Sequence, residues 1–99
     1  MQDEMLHELS ALFLSVRDRR EMESLIEGLL TPGEVEETTF RWRLIRRLLA
    51  GQTQREISRE LGVSLGKIAR GSRLLKYGPP EFRRLVERLA QDDHDDQPA

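Results

Sequence analysis

Residues 41–76 concentrate the basic side chains of this chain, a pattern suited to binding phosphates. The segment holds ten basic and two acidic residues, a net charge of +8. Residues 1–40 carry −7 and residues 77–99 carry −3, so the total of −2 hides the segregation. A basic segment on an otherwise acidic protein is the electrostatic footprint of a polyanion-binding surface.

Within this segment, Arg70-Gly71-Ser72 falls in the middle of a predicted helix. Glycine costs about 1 kcal/mol relative to alanine inside a helix. The missing side chain at Gly71 must therefore bring some advantage beside Arg70.

Composition sets limits on the other chemistries. The chain has no cysteine, which excludes disulfides and thiolate metal sites, and His7 and His94 are interpreted as solvated surface residues. No Ser-His-Asp pattern, phosphate loop or metal-ligand cluster is present, so the sequence favours neither an enzyme nor a metalloprotein. No apolar run approaches the roughly 20 residues that span a bilayer, and the acidic N-terminus does not resemble a secretory signal. We expect a cytoplasmic protein without a membrane partner.

The elements that must position the basic residues are all helical. Apolar spacing predicts helices over 3–18, 21–29 and 80–90. Thr31-Pro32-Gly33-Glu34 is a capping-box start for a helix that ends at Gly51 and turns inward the residues Val35, Trp42, Ile45, Leu48 and Leu49.

Residues 53–76 have the pattern of a helix-turn-helix motif. Thr53 and Glu56 form a second capping box, Gly62 suits a left-handed turn, and Ser64 can cap the second helix. We expect this second helix to enter the DNA major groove, with Ser64, Gly66, Lys67 and Arg70 facing outward. An ordinary helical hairpin with solvated charges is the alternative.

The chain is short for an independent core. Ninety-nine residues with 34% charged residues predict one thin domain over 1–90, followed by a disordered acidic tail over 91–99. We therefore expect an obligate homodimer whose interface comes from the helices at 3–18, 21–29 and 80–90.

With the motif in view, residues 28–90 resemble the tryptophan repressor family. The matching stretches are "LTP" (30–32), "RWR" (41–43), "LLAG" (48–51), "QREISRELG" (54–62) and "ARGSRLLKYG" (69–78). The resemblance implies an all-α, intertwined homodimer of about six helices per chain. It also implies binding of double-stranded operator DNA with L-tryptophan as corepressor, held between the central helices and the reading helix.

The resemblance implies a ligand site as well. Arg41 and Arg70 match the arginines that stack on both faces of the indole, a suitable task for guanidinium planes. The alternative is that Arg41 and Arg70 only face phosphates. Gly71 leaves room for the ring, and Thr31 matches the threonine near the ligand carboxylate. The carbonyl groups of Gly28 and Leu30 match those that accept from the ligand ammonium. Leu74 stands where the family has a serine that also binds the ammonium, and an aliphatic side chain cannot accept that bond.

On the DNA side, the resemblance assigns contacts to Gln54, Arg55, Ser58, Ser64, Leu65, Gly66, Lys67, Ala69 and Arg73. Several of these depart from the family pattern. Ser58 replaces a lysine, Ala69 replaces a threonine, and Leu65, Gly66 and Lys67 stand for isoleucine, alanine and threonine. The loop between Gly51 and Gln54 is one residue shorter. The operator sequence can therefore differ from that of other members.

Three functions remain open at this point. The leading hypothesis is a ligand-dependent dimeric repressor. The second keeps the DNA-binding module with a different effector or none, and Leu74 is its best support. The third is a helical interaction module whose basic face meets an acidic protein.

Overall fold

The computed structural model describes residues 2–92, which form six helices and no strand. The helices are α1 (Gln2–Leu14), α2 (Arg19–Leu29), α3 (Pro32–Leu49), α4 (Gln54–Leu61), α5 (Leu65–Tyr77) and α6 (Pro80–Asp92). The all-α prediction is confirmed. The chain divides into two compact units, residues 1–36 and 37–99. No helix of the described part is long and apolar enough to cross a membrane.

The first unit contains the pair α1 and α2. The predicted extension of α1 to residue 18 is wrong, because Asp18 begins the next helix instead. The Asp18 side chain accepts from the Glu21 N–H at 2.9 Å, in an extended backbone conformation. A short aspartate side chain bonds its local backbone readily, and so favours helix starts over helix interiors.

The start of α3 follows from local chemistry. The Thr31 N–H donates to the Glu34 carboxylate at 2.9 Å, and the Glu34 N–H donates to the Thr31 hydroxyl at 3.1 Å. This reciprocal pair confirms the predicted capping box. The helix ends at Leu49, and Gly51 follows with a φ of 89°. The helix therefore ends two residues before the predicted Gly51, which lies in the turn that follows.

The second unit has a core of two apolar clusters. The first contains Leu44, Ile57 and Ile68, which join α3, α4 and α5, with Leu61 and Val63 packed against it. The second joins α3, α5 and α6 through Ile45, Leu75 and Val86, with Trp42, Leu49 and Phe82 against it. Leu48 packs against both clusters. Leu44 was not among the predicted inward residues, although it lies four residues before Leu48 on the same face of α3.

The last helix runs to Asp92, two residues beyond the predicted end of the helical domain. His94 and the remainder of the predicted acidic tail lie outside the described residues.

Candidate nucleic-acid interface and ligand residues

The pair α4 and α5 is consistent with the predicted helix-turn-helix motif in its helix order and its caps. Thr53 and Glu56 form the predicted capping box at the start of α4. Gly62 ends α4 in the left-handed region with φ 68° and ψ 25°, which glycine adopts without steric cost. Ser64 then caps α5 by accepting from the Lys67 N–H at 3.2 Å. Two short helices are thus joined by a three-residue turn.

The capping box also affects an ionisation. Hydrogen bonds with Thr53, first from its backbone N–H and then through its side chain, lower the pKa of the Glu56 carboxyl below its ordinary value, with a smaller lowering from Arg59. The carboxylate is therefore the form that closes the start of α4.

Most of the predicted DNA contacts lie on the exposed surface of this motif. Exposed positions include Gln54 and Arg55 on α4, the cap Ser64, and on α5 Leu65, Gly66, Lys67 and Arg73. Leu65 is 51% exposed despite its apolar side chain. A Cβ at Gly66 would have only the Ser64 hydroxyl near it, 4.0 Å away, so internal packing does not require a glycine there.

Two predicted contact residues are placed differently. Ala69 is half-buried. Ser58 is also half-buried, and its hydroxyl donates to the Val63 carbonyl at 2.8 Å, inside the motif. The single hydroxyl proton of Ser58 is thus used within the turn and is not available to a phosphate.

The predicted ligand residues of the first unit lie at the junction of α2 and α3. Gly28 lies in the last turn of α2, where its carbonyl would normally accept from the N–H four residues later. That residue is Pro32, which has no N–H. The N–H that would serve Leu30 belongs to Glu34 and donates to Thr31 instead. Both carbonyl groups predicted to accept from an ammonium are therefore without their regular helical donors.

The predicted ligand residues of the second unit are Arg41, Arg70, Gly71 and Leu74. Arg41 is exposed and pairs with Glu37 on its own helix at 3.0 Å. Such exposed pairs contribute at most about 1 kcal/mol, so Arg41 can exchange this partner for another at small cost. Arg70 is exposed on α5, and Leu74 lies one turn later, 40% exposed.

Gly71 has a clear packing role. A Cβ at this position would lie 3.2 Å from Leu44 Cδ2 and 3.6 Å from Leu48 Cδ1. The missing side chain therefore allows α5 to approach α3 closely. This accounts for the glycine without a ligand, and the role of Gly71 beside an indole stays a prediction.

A separate basic groove of about 830 Å³ lies along α3 and α6 in the second unit. It is lined by Arg43, Arg46, Arg47, Leu49, Ala50, Glu87, Ala90 and Gln91. None of the predicted ligand residues lines it. Across residues 2–92, no cluster of three or more His, Asp or Glu side chains is arranged to hold a metal ion.

One ion pair between helices was not predicted from the sequence. Arg47 of α3 and Glu60 of α4 form an ion pair at 2.9 Å. Thirteen residues separate the partners. Because no local pattern links them, only the packing of α4 on α3 reveals the pair.

Comparisons with known proteins agree with this geometry. The family model described as "Trp repressor protein" matches residues 4–90. The Trp operon repressor homolog of Chlamydia trachomatis serovar L2 (strain ATCC VR-902B / DSM 19102 / 434/Bu) is 36% identical over 81 residues, which cover 77% of this chain and 86% of that protein. The homolog from Vibrio parahaemolyticus serotype O3:K6 is 38% identical over 85 residues, which cover 81% and 82% of the two chains.

A solved structure is similar as well. The crystal structure of a TrpR-like protein from Eubacterium eligens ATCC 27750 superposes with a TM-score of 0.76 at 28% identity. The match covers 87% of this chain and 89% of that one. With a family match over residues 4–90 and relatives above 30% identity across most of both chains, this chain belongs to the Trp repressor family, a family of transcriptional repressors.

Proposed function

We propose that this protein is a cytoplasmic repressor that binds operator DNA as a homodimer, with L-tryptophan as corepressor. The observation that carries the proposal is the exposed α4–α5 surface within a member of this family. Corepressor binding would act by a population shift, fixing the two reading helices of a dimer one helical turn of DNA apart.

The start of α5 supports a role in DNA recognition. Gly66 lowers helix propensity at an exposed position where a larger side chain would fit. A bare backbone there lets bases or phosphates approach the helix closely. Leu65 beside it is an exposed apolar side chain that can contact a thymine methyl group, and Lys67 supplies charge to the phosphates.

The first unit supports dimerisation. Five large apolar side chains on one face of α1 are 41–62% exposed, namely Met5, Leu6, Leu9, Leu12 and Phe13. A cleft of about 360 Å³ also opens between α1 and α2, with Leu12, Val16 and Leu25 among its lining residues. Exposed apolar surface of this extent is typical of an interface, and a second copy of the chain would cover it.

The ligand residues support a zwitterionic aromatic amino acid. The carbonyl groups of Gly28 and Leu30 can accept from an ammonium. Thr31 Oγ1 already accepts from an N–H, so its own proton stays available for a carboxylate. Arg41 and Arg70 provide planar cations for an aromatic ring. Leu74 removes one expected acceptor, a loss of roughly 1.5–3 kcal/mol for a bond to a charged group.

Calorimetry tests this proposal directly. Titration of L-tryptophan into the protein, with and without a DNA duplex selected by the protein from a random-sequence pool, should give heat in both cases and tighter binding with DNA. Indole-3-propionate is the matched ligand, because it keeps the ring and carboxylate but lacks the ammonium. DNA binding without any heat or melting shift at millimolar L-tryptophan would contradict the corepressor assignment.

The second candidate function is a DNA-binding regulator with another effector or none, and Leu74 favours it. Leu74→Ser restores the acceptor, so the variant should bind L-tryptophan more tightly while its affinity for indole-3-propionate stays the same. Leu74→Ala is the control for the lost side-chain volume. Equal L-tryptophan affinity in all three proteins would show that residue 74 does not select the effector.

A further inference from the structure

Ser58 makes two hydrogen bonds to the turn between α4 and α5. Its hydroxyl donates to the Val63 carbonyl at 2.8 Å. Its own carbonyl accepts from the Gly62 N–H at 2.9 Å. Ser58 therefore forms hydrogen bonds with two of the three turn residues.

The Val63 carbonyl needs this donor. In a continuing helix, it would accept from the N–H of Lys67, four residues later. That N–H instead donates to the Ser64 hydroxyl, which caps α5. Val63 itself lies outside both helices, so its half-buried carbonyl has no helical donor, and a carbonyl removed from water without a donor is costly. The Ser58 hydroxyl supplies the missing bond.

The next residues after this carbonyl form the predicted reading surface. Ser64, Leu65, Gly66 and Lys67 follow Val63 directly, so a rotation of the Val63 peptide would redirect the first turn of α5. Gly62, which precedes Val63, adds little steric restraint to the turn, because glycine is the most permissive residue. The Val63 side chain packs against the first apolar cluster, and the hydrogen bond from Ser58 holds the Val63 carbonyl. Together these contacts fix the direction of α5 at its start.

We propose that Ser58 is a positioning residue that orients the reading helix and does not itself contact DNA. This inference rests on the proposed function, since it requires duplex binding by α5. It differs from the role that the family resemblance implies for this position, which is a direct DNA contact.

The test compares Ser58→Ala, Ser58→Thr and Lys67→Ala in the full-length protein. Two quantities are measured: affinity for a DNA duplex selected by the protein from a random-sequence pool, and amide hydrogen exchange of Gly62, Lys67 and Ile68 without DNA. Ser58→Ala should weaken duplex binding about threefold to tenfold, in the range of one lost hydrogen bond. It should also speed exchange at the start of α5 in the free protein. Ser58→Thr keeps the hydroxyl and should restore both quantities.

Lys67→Ala provides the signature of a direct contact. It should weaken binding and lower the slope of log K against log salt by about one, while exchange in the free protein stays the same. Ser58→Ala with weaker binding but unchanged exchange would mean that Ser58 touches DNA, and would overturn the inference.

The remaining outcomes separate the two proposals. Faster exchange in Ser58→Ala with unchanged affinity would make Ser58 merely structural and overturn the inference alone. Failure of the wild-type protein to bind the duplex under any effector condition would overturn the proposed function, and the inference with it.

Discussion

In residues 3–36 no side chain is buried, whereas residues 37–92 bury six apolar side chains in two clusters. Both regions show apolar residues at helical spacing. The α1 stripe leaves Leu6 62% exposed, while Ile57 and Ile68 in the second unit are completely covered. The same periodicity thus leads to a self-sufficient core in one region and to an uncovered face in the other.

The contrast between the two units marks the limit of apolar periodicity as a predictor of packing. A 3.6-residue apolar repeat shows that a helix has a face to cover, but not which chain covers it. In the second unit, three elements converge on α3, so its apolar face is covered from within the unit. The first unit offers only α1, α2 and the first turn of α3, which are too few to enclose a core.

The largest expected effect is in the buried core. Ile68→Ala should lower the free energy of unfolding by about 2–4 kcal/mol, because Ile68 is fully covered and its loss leaves a cavity. Leu65→Ala, three residues earlier on α5 and half-exposed, is the control and should cost less than about 1 kcal/mol. Urea denaturation at one protein concentration measures both. Similar losses of unfolding free energy in the two variants would contradict the distinction between a buried and an exposed face of α5.

The uncovered face of α1 is the next test. Leu9→Glu should weaken self-association at least about tenfold, because each copy loses a buried leucine and gains a charge at the interface. His7→Glu is the matched control, since residue 7 lies on the opposite side of α1 from the stripe. Sedimentation equilibrium measures the dissociation constant. A wild-type protein that is monomeric and folded at micromolar concentration would contradict this account of the first unit.

Two glycines of α5 allow a packed position to be compared with an open one. Gly71→Ala should destabilise the fold by about 1 kcal/mol, because its Cβ would press on Leu44, which is itself enclosed by Ile57 and Ile68. Gly66→Ala meets open space, and should stabilise the fold by up to about 1 kcal/mol while weakening duplex binding. Thermal unfolding and DNA titration measure the two effects. Stabilisation by Gly71→Ala would show that Leu44 moves aside.

The smallest effect concerns pH. Because the folded pKa of Glu56 is lowered, its contribution to stability is present above the ordinary glutamate pKa and is lost as the pH falls toward the lowered value. Glu56→Gln keeps a capping-box side chain but cannot titrate. The melting temperatures of the wild-type and variant proteins should therefore converge between pH 7 and pH 3. A difference that stays constant with pH would remove the capping carboxylate as its cause.

The parts of the fold that the sequence predicted are those set by local chemistry. The Thr31 and Thr53 capping boxes, the left-handed Gly62 and the Ser64 cap each depend on residues within four positions, and all are confirmed. The end of α1 was missed because Asp18 can be read either as a polar helix residue or as the cap of the next helix.

The parts that sequence reasoning missed depend on distant packing. The close contact between Leu44 and Gly71 exists only because α5 packs on α3. The Arg47–Glu60 pair likewise forms only when α4 packs on α3. Ser58 could be assigned to DNA by position, since its bond to Val63 requires the turn to be built first. The assignment of the ligand residues remains a prediction from the family resemblance.

Leu48 has a consequence for how the second unit melts. Neighbouring residues Leu44 and Ile45 enter different clusters, and Leu48 packs against both. The second half of α3 is thus a common support for α4, α5 and α6. Because α4, α5 and α6 all pack on this part of α3, unfolding of α6 would expose apolar side chains that also stabilise the other two helices. The three helices should therefore unfold together in a single calorimetric transition. The stability of the exposed α4–α5 surface therefore depends on α6, although α6 is not part of the predicted helix-turn-helix motif.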